Sequence, residues 1–363
     1  MTSQHSDSTG FSFQILHEFP PADTAAQWRE FLGKTATPSA YDAPDFFDEP
    51  HWEGRHPFAV LALAGNTVVG VVTGLHQVGH VICGRPSRPQ ICIDSTADVY
   101  AVHKALWEGL LLEAGDDMLI DVFTWTGTRL PYFEQHGFTT RDAGANVVLD
   151  LSLGADALFK QFHENRKRNI RAAVRNGIEV VDSTSEEDVE AYYAVLCAWR
   201  LTERKKIHIG LSLAAARKVQ ALSGTHHQFL ARYHGQVIAA TTVRFYPKGL
   251  IEYSGNCSLD AFMHLRPNDL LIWRTIQWAC EHGFKKYSLG GSHLFLQKCG
   301  GVVVPISRYR LDRTFLHRHN LRESVTDLSR TLLRHAPTPV AQVMKRVAGK
   351  AVEILHITPE RFR

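Results

Sequence analysis

No apolar run in this chain approaches the roughly 20 residues that a membrane-spanning helix needs; the longest, Phe58 to Ala64 and Val147 to Leu153, stop far short, so no membrane span is expected. Met1 to Gly10 is polar and has neither a basic start nor an apolar core, so nothing there reads as a secretory signal and the cytoplasm is the expected compartment. The six cysteines are scattered without C-x-x-C spacing, arguing against a zinc ribbon or a redox pair. They read as small, reduced core residues. Twenty histidines supply no H-E-x-x-H, so no metal site is expected. His226 and His227 are neighbours that point to opposite faces if their segment is extended. No Ser-His-Asp or Cys-His motif stands out, so a covalent intermediate is not indicated.

What is present is the length and apolar content of two ordinary cores. At 363 residues, 44% hydrophobic and 21% charged, the chain fits two globular domains and a tail. The net charge is only +3 but unevenly placed: LFKQFHENRKRNIRAAVR, ending at Arg175, holds six Lys/Arg against one Glu, and the segment from Arg308 to Arg363 is also rich in arginine.

Spacing predicts a helix near Ala25 to Gly33 after a polar start and a strand at Phe11 to Leu16. PFAVLALAGNTVVGVVTGLH reads as a hairpin about Gly65-Asn66. A strand at Ile91 to Ile93, a helix at Ala101 to Ala114, a strand at Met118 to Trp125, a short helix at Leu130 to His136 and two strands, near Phe138 and at Asn146 to Leu151, follow. The second half repeats that order. Ala155 to Asn176 reads as one basic helix stopped by Gly177, Ile178 to Val181 as a strand, and Ser185 to Thr202 as a helix. HQFLARYHGQVIAATTVRFYPKGLIEYSGNC gives three strands, PNDLLIWRTIQWACEHGF an amphipathic helix stopped at Gly283, and KKYSLGG a strand. From Thr314 onward one or two helices are expected, interrupted at Pro337 and Pro339.

LPYFEQHGF resembles the late motif of GNAT acyltransferases, a short helix ending in Gly-Phe. FHENRKRNIRAAVRNGIEV, RPNDLLIWRTIQWACEHGFKKYSLGG and FLQKCGG resemble, in this order, the Fem-type peptidyltransferases and the related CelD-like and BioF-like acetyltransferase domains. The likeness covers Leu149 to Leu311 well and the first half in outline. It implies a mixed α/β protein of two tandem GNAT-like domains, at residues 11–150 and 151–313, with 1–10 disordered and 314–363 a basic helical tail.

The implied reaction is acyl or aminoacyl transfer from an activated donor to an amine, where positioning and oxyanion stabilisation do most of the work. No tightly bound cofactor is implied; the donor is acetyl-CoA, a longer acyl-CoA or aminoacyl-tRNA. GNAT enzymes hold the CoA pyrophosphate on a Gly-rich turn opening the central helix. Here HLRPNDLL and STADVYAVHKAL occupy those turns without glycine, which shifts weight toward aminoacyl-tRNA. Lys298 falls where the Fem-type pattern has its active-site lysine, with Leu-Gln-Lys-Cys-Gly-Gly replacing Phe-Lys-x-x-Phe-Gly, and Tyr253 lies on a strand bordering the cleft.

Glu252 and Asp260 are the nearest carboxylates for taking up the amine proton, and His293 is a further base or a plain loop residue. Arg266 stands before the helix as a phosphate ligand. Lys167, Arg168 and Arg171 make the basic helix a platform for a phosphate-bearing acceptor or tRNA, or a solvated face. The acceptor is a small-molecule or cell-envelope precursor amine. Two other readings keep the fold without catalysis: a binding module with degenerate GNAT domains, and a nucleic-acid platform.

Overall fold

The computed structural model describes residues 3–6, 10–48, 55–86, 88–125, 128–182, 185–200 and 224–335. Two compact units are distinguished, residues 1–311 and 312–363.

In the first unit the early strands are β1 (Ser3–Ser6), β2 (Phe11–Leu16), β3 (His56–Ala64), β4 (Thr67–Gln77), β5 (His80–Cys83), β6 (Ile91–Ile93) and β7 (Leu119–Trp125). The stretch expected to be disordered thus contributes a strand, since β1 pairs antiparallel with β2 from Ser3 opposite Ile15 to Ser6 opposite Ser12. The hairpin of β3 and β4 turns at Gly65, whose φ of 59° suits a residue without a side chain. Its apolar run is continuous because both faces are covered. Phe58, Val60 and Ala62 pack under helix α2 (Val99–Ala114) and the short α3 (Pro131–Gln135), while Ala59, Leu61 and Leu63 meet Trp28, Phe31 and Leu32 of α1 (Ala22–Lys34) on the other side.

The later strands are β8 (Thr139–Asp150), β9 (Glu179–Asp182), β10 (His226–Tyr233), β11 (Gln236–Phe245), β12 (Leu250–Ser258), β13 (Lys286–Ser288) and β14 (Val302–Asp312). All join one mixed sheet, ordered β1-β2-β3-β4-β5-β7-β14-β8-β13-β12-β11-β10-β9, with β6 against β4. The two strands expected to close the first half are one long strand, β8. It pairs with β13 at one end and with β14 along most of its length. The final strand of the second half therefore lies between β7 and β8 of the first. A buried ion pair holds it there: Arg310 Nε and Nη2 each donate to the Asp121 carboxylate on β7 at 2.7 Å, and His80 Nε2 lies 3.0 Å from the same group. Burial pushes that carboxyl up, but the hydrogen bonds from His80 and Arg310, with their charge, outweigh it and hold it well below the usual carboxylate range.

Helix α7 (Pro267–Glu281) packs Leu271, Ile272 and Ile276 on one face of the second half, each such fully buried side chain stabilising by roughly 1.5–3 kcal/mol. Helix α6 (Glu186–Arg200) covers the other face through Val189, Tyr192, Val195 and Leu196; Leu201 and Thr202, also expected to be helical, lie outside the described residues. The single basic helix expected over Ala155 to Asn176 is broken into α4 (Ala155–Gln161) and α5 (Glu164–Arg175). The break falls at Phe162, which is buried in the core, and His163, whose ring nitrogen accepts from the Asn165 N–H and caps α5. Val174 is exposed; the buried row of α5 is Arg166, Ile170 and Ala173.

In the second unit, Asp312 accepts hydrogen bonds from the Thr314 and Asn320 backbone N–H groups and so starts helix α8 (Arg318–His335). Pro337 and Pro339 lie outside the described residues. Among the described residues no helix is long and apolar enough to cross a membrane.

Candidate active site

Strands β12 and β13 pair in parallel for three residues, Leu250 to Glu252 against Lys286 to Ser288. Beyond that the chain after β13 follows β8, with Leu289 N–H donating to Val147 and Val147 N–H to Gly291, while β12 runs on to Ser258. A cleft opens between the two strands. At its apex β12 bulges: Val243 faces Tyr253 and Thr242 faces Gly255, leaving Ser254 as the extra residue. Its hydroxyl donates to Thr242. Across the cleft Gly290 has φ 74°, and a Cβ there would stand 3.0 Å from the Tyr253 carbonyl oxygen. The turn needs glycine for both reasons.

On the α7 face, the head of α7 opens on a cavity of about 290 Å³ lined by residues including Asn165, Arg166, Asn169, Arg266, Asp269 and Lys298. The His163 N–H donates to the Lys298 carbonyl at 3.0 Å, tying that lysine to the start of α5. Lys298 and Arg266 are exposed at the rim, and Arg266 takes left-handed backbone (φ 66°) where a 3-10 turn, Asp260–Leu265, meets α7. The cavity's inner cation is Arg166, 1% exposed. Its guanidinium lies 4.1 Å from the centre of the Phe295 ring, donates to the Phe295 carbonyl, and pairs with Asp269 at 3.1 Å. Asn169 donates to the other Asp269 oxygen at 3.0 Å. Burial raises the Asp269 carboxyl, and the Arg166 charge and the Asn169 hydrogen bond oppose it. The protein's own carboxylate thus sits in the first turn of α7, a natural seat for an anion.

The opposite sheet face carries a second polar group. Ile251 and Tyr253 face the α7 core, so Glu252 between them faces away, as does Arg244 opposite it in register. His226 stands opposite Arg244 on β10, while His227 stacks on Trp278 of α7 at 4.6 Å; the two histidines do face opposite ways. The Arg244 Nε–H donates to His226 Nε2 at 2.9 Å. Onto this row folds the first half's Pro/Asp-rich loop, because the Leu250 N–H donates to the Pro38 carbonyl. The guanidiniums of Arg244 and Arg88 lie 4.0 and 4.4 Å from the centre of the Tyr41 ring. Burial pushes the Glu252 carboxyl up to about 7 against the pull of Arg244 and Arg88, and Asp42 up to about 6 against hydrogen bonds from Ser39. Burial, with the charge of Arg88, drops His226 to about 4.

The residues singled out from the sequence divide between these places. Lys298 and Arg266 line the cavity, Glu252 belongs to the polar row, and Tyr253 borders the cleft with its hydroxyl pushed by burial to about 12. Lys167 donates to the Lys160 carbonyl and to Glu164, Arg168 and Arg171 are exposed on α5, and none of the three lines the cavity. Asp260 and His293 are exposed outside it. Sequence reasoning missed Arg166 and Asp269 as cavity residues and Tyr41, Asp42, Arg88 and Arg244 altogether. Arg166 had a signal: it falls on the same helical row as Ile170 and Ala173, where an arginine must be buried.

Residues 160–297 match a family model described as acetyltransferase (GNAT) domain. The fold is similar to that of FemX, with a TM-score of 0.63 and 13% identity over 82% of this chain and 97% of that one. It is also similar to the C-terminal domain of a putative lysylphosphatidylglycerol synthetase from Agrobacterium fabrum (0.57, 12%, 86% and 96%) and to a tandem GNAT protein from the clavulanic acid biosynthesis pathway (0.55, 12%, 84% and 99%). No curated protein sequence matches. Residues 160–297 therefore match a GNAT acetyltransferase domain, and the chain as a whole has the tandem GNAT fold.

Proposed function

We propose that the chain is a cytoplasmic N-acyltransferase that passes an acyl or aminoacyl group directly from an activated donor to an amine, with Glu252 as the base. The observation that carries this reading is Glu252 itself, buried, poised near neutrality and next to the bulge at the cleft. A base is most effective when its pKa lies near the working pH. The donor's phosphates meet Lys298 and Arg266 at the mouth of the cavity, since Arg166 further in is already ion-paired with Asp269. Its carbonyl lies in the cleft beside Ser254, and the acceptor amine approaches from the Glu252 face. The carbon–nitrogen bond forms as the donor's thioester or ester bond breaks, and Glu252 takes the amine proton. We assign residues 11–150 and 151–313 to the two domains, which exchange strands at β8 and β14, and 314–363 to the tail.

The reading is tested by offering acetyl-CoA, longer acyl-CoAs and charged tRNA as donors to wild type and Glu252→Gln with a panel of amines. One donor class gives product, with a rate that climbs through about pH 7 as Glu252 ionises. Glu252→Gln lowers that rate by about 10²–10⁴-fold. Full activity in Glu252→Gln removes Glu252 from the chemistry; no product with any donor removes the enzyme reading.

A further inference from the structure

The cluster facing Glu252 holds more buried polar atoms than it satisfies. Tyr41 and Glu252 are each 6% exposed, Asp42 5% and Gln228 0%. The Tyr41 hydroxyl, Asp42 Oδ1, Glu252 Oε2 and both side-chain amide atoms of Gln228 have no hydrogen-bond partner among the described residues. Gln228 belongs to the same face, two residues along β10 from His226 and opposite Thr242. Buried polar atoms are nearly always satisfied in a folded protein, so several together mark a place where another molecule supplies the partners.

We infer that this cluster, built from both halves of the chain, is the acceptor end of the site and selects a polyhydroxylated amine of the amino-sugar kind, free or within a larger precursor. The inference rests on the acyltransferase reading for the word acceptor, and on the unmet atoms for the selectivity. Asp42 Oδ1, Glu252 Oε2 when ionised and Gln228 Oε1 accept hydrogen bonds, Gln228 Nε2 donates, and the Tyr41 hydroxyl does either. An aliphatic amine brings donors to one point only and leaves the remaining atoms buried and unmet. The carboxylate of an amino acid brings acceptors that compete with Glu252 and Asp42 for Arg88 and Arg244, whose Nε is committed to His226. An amine on a ring of hydroxyls presents donors and acceptors at several points at once, and its amino group is directed to Glu252.

Isothermal titration of the full chain with glucosamine, glucose, n-butylamine and glycine tests the selectivity without a donor. Glucosamine is expected to bind at least about tenfold more tightly than the other three; equal or tighter binding of any one of them overturns the inference. Tyr41→Phe and Gln228→Leu should each weaken glucosamine about fivefold, the loss of one hydrogen bond. Both should leave Tm unchanged or raise it, because an unmet buried atom has been removed. A fall in Tm with unchanged affinity assigns those atoms to the fold and overturns the inference. Donor assays separate the two proposals. Saturable glucosamine binding with no product from any donor sinks the transferase reading alone, and equal transfer to every amine sinks the selectivity alone.

Discussion

Among the buried carboxylates that meet arginines, Asp121 and Glu252 are treated in opposite ways. Asp121 receives two hydrogen bonds from Arg310 and one from His80, and its carboxyl is held far below the ordinary range. Glu252 has Arg244 opposite it, yet Arg244 Nε turns to His226, one Glu252 oxygen is unmet, and the carboxyl rises to about 7. The first pair is saturated and fixes a strand. The second is left incomplete, and burial, against the pull of Arg244 and Arg88, raises its carboxyl toward neutral pH.

Asp121→Ala leaves Arg310 buried without its partner, at an expected cost of about 3–5 kcal/mol read from the denaturant midpoint. Undiminished stability would mean that β14 holds its place beside β7 by backbone pairing alone.

The two carboxylates also answer pH differently. Because Glu252 is raised when folded, its contribution is most favourable below its unfolded pKa and is lost as pH climbs toward 7, a difference on the order of 3 kcal/mol. His226, lowered to about 4, acts in the opposite sense over much of that range, so the quantity to measure is the difference in Tm between wild type and Glu252→Gln from pH 4 to 8. The variant should gain on the wild type as pH rises and level off above 7. Asp121, depressed when folded, contributes across that whole window and is lost only in strong acid.

The smallest effects separate the two groups of cations. Lys298→Ala should weaken the phosphate-bearing donor by about tenfold with little change in stability, as expected for one lost charge-assisted contact. Lys167→Ala should leave donor affinity unchanged and cost under about 1 kcal/mol of stability, because its ammonium is already engaged with Glu164 and the Lys160 carbonyl.

The sequence made the tandem fold readable. The hairpin at Gly65, the stop at Gly177, the amphipathic α7 and the FLQKCGG turn that places Lys298 are local signals, carried by side-chain period and glycine conformation. Strand exchange was not readable. The pattern of Val302 to Asp312 says that it is a strand but not which strands will flank it, since one apolar face fits any buried neighbour. The Arg310 and Asp121 side chains that decide the matter lie 189 residues apart.

Glu252 was identified as a candidate base from its nearness to the cleft, whereas its poised proton depends on neighbours that no spacing reveals. Tyr41 and Asp42 sit in a loop whose Pro and Asp content marks it only as a loop, and Arg88 in a tight turn. Local periodicity by itself determined the elements, and the resemblance of a few motifs implied the reaction class. Only the tertiary structure decided which charges are satisfied and which are left waiting, because burial and hydrogen bonding are set by residues far apart in the chain.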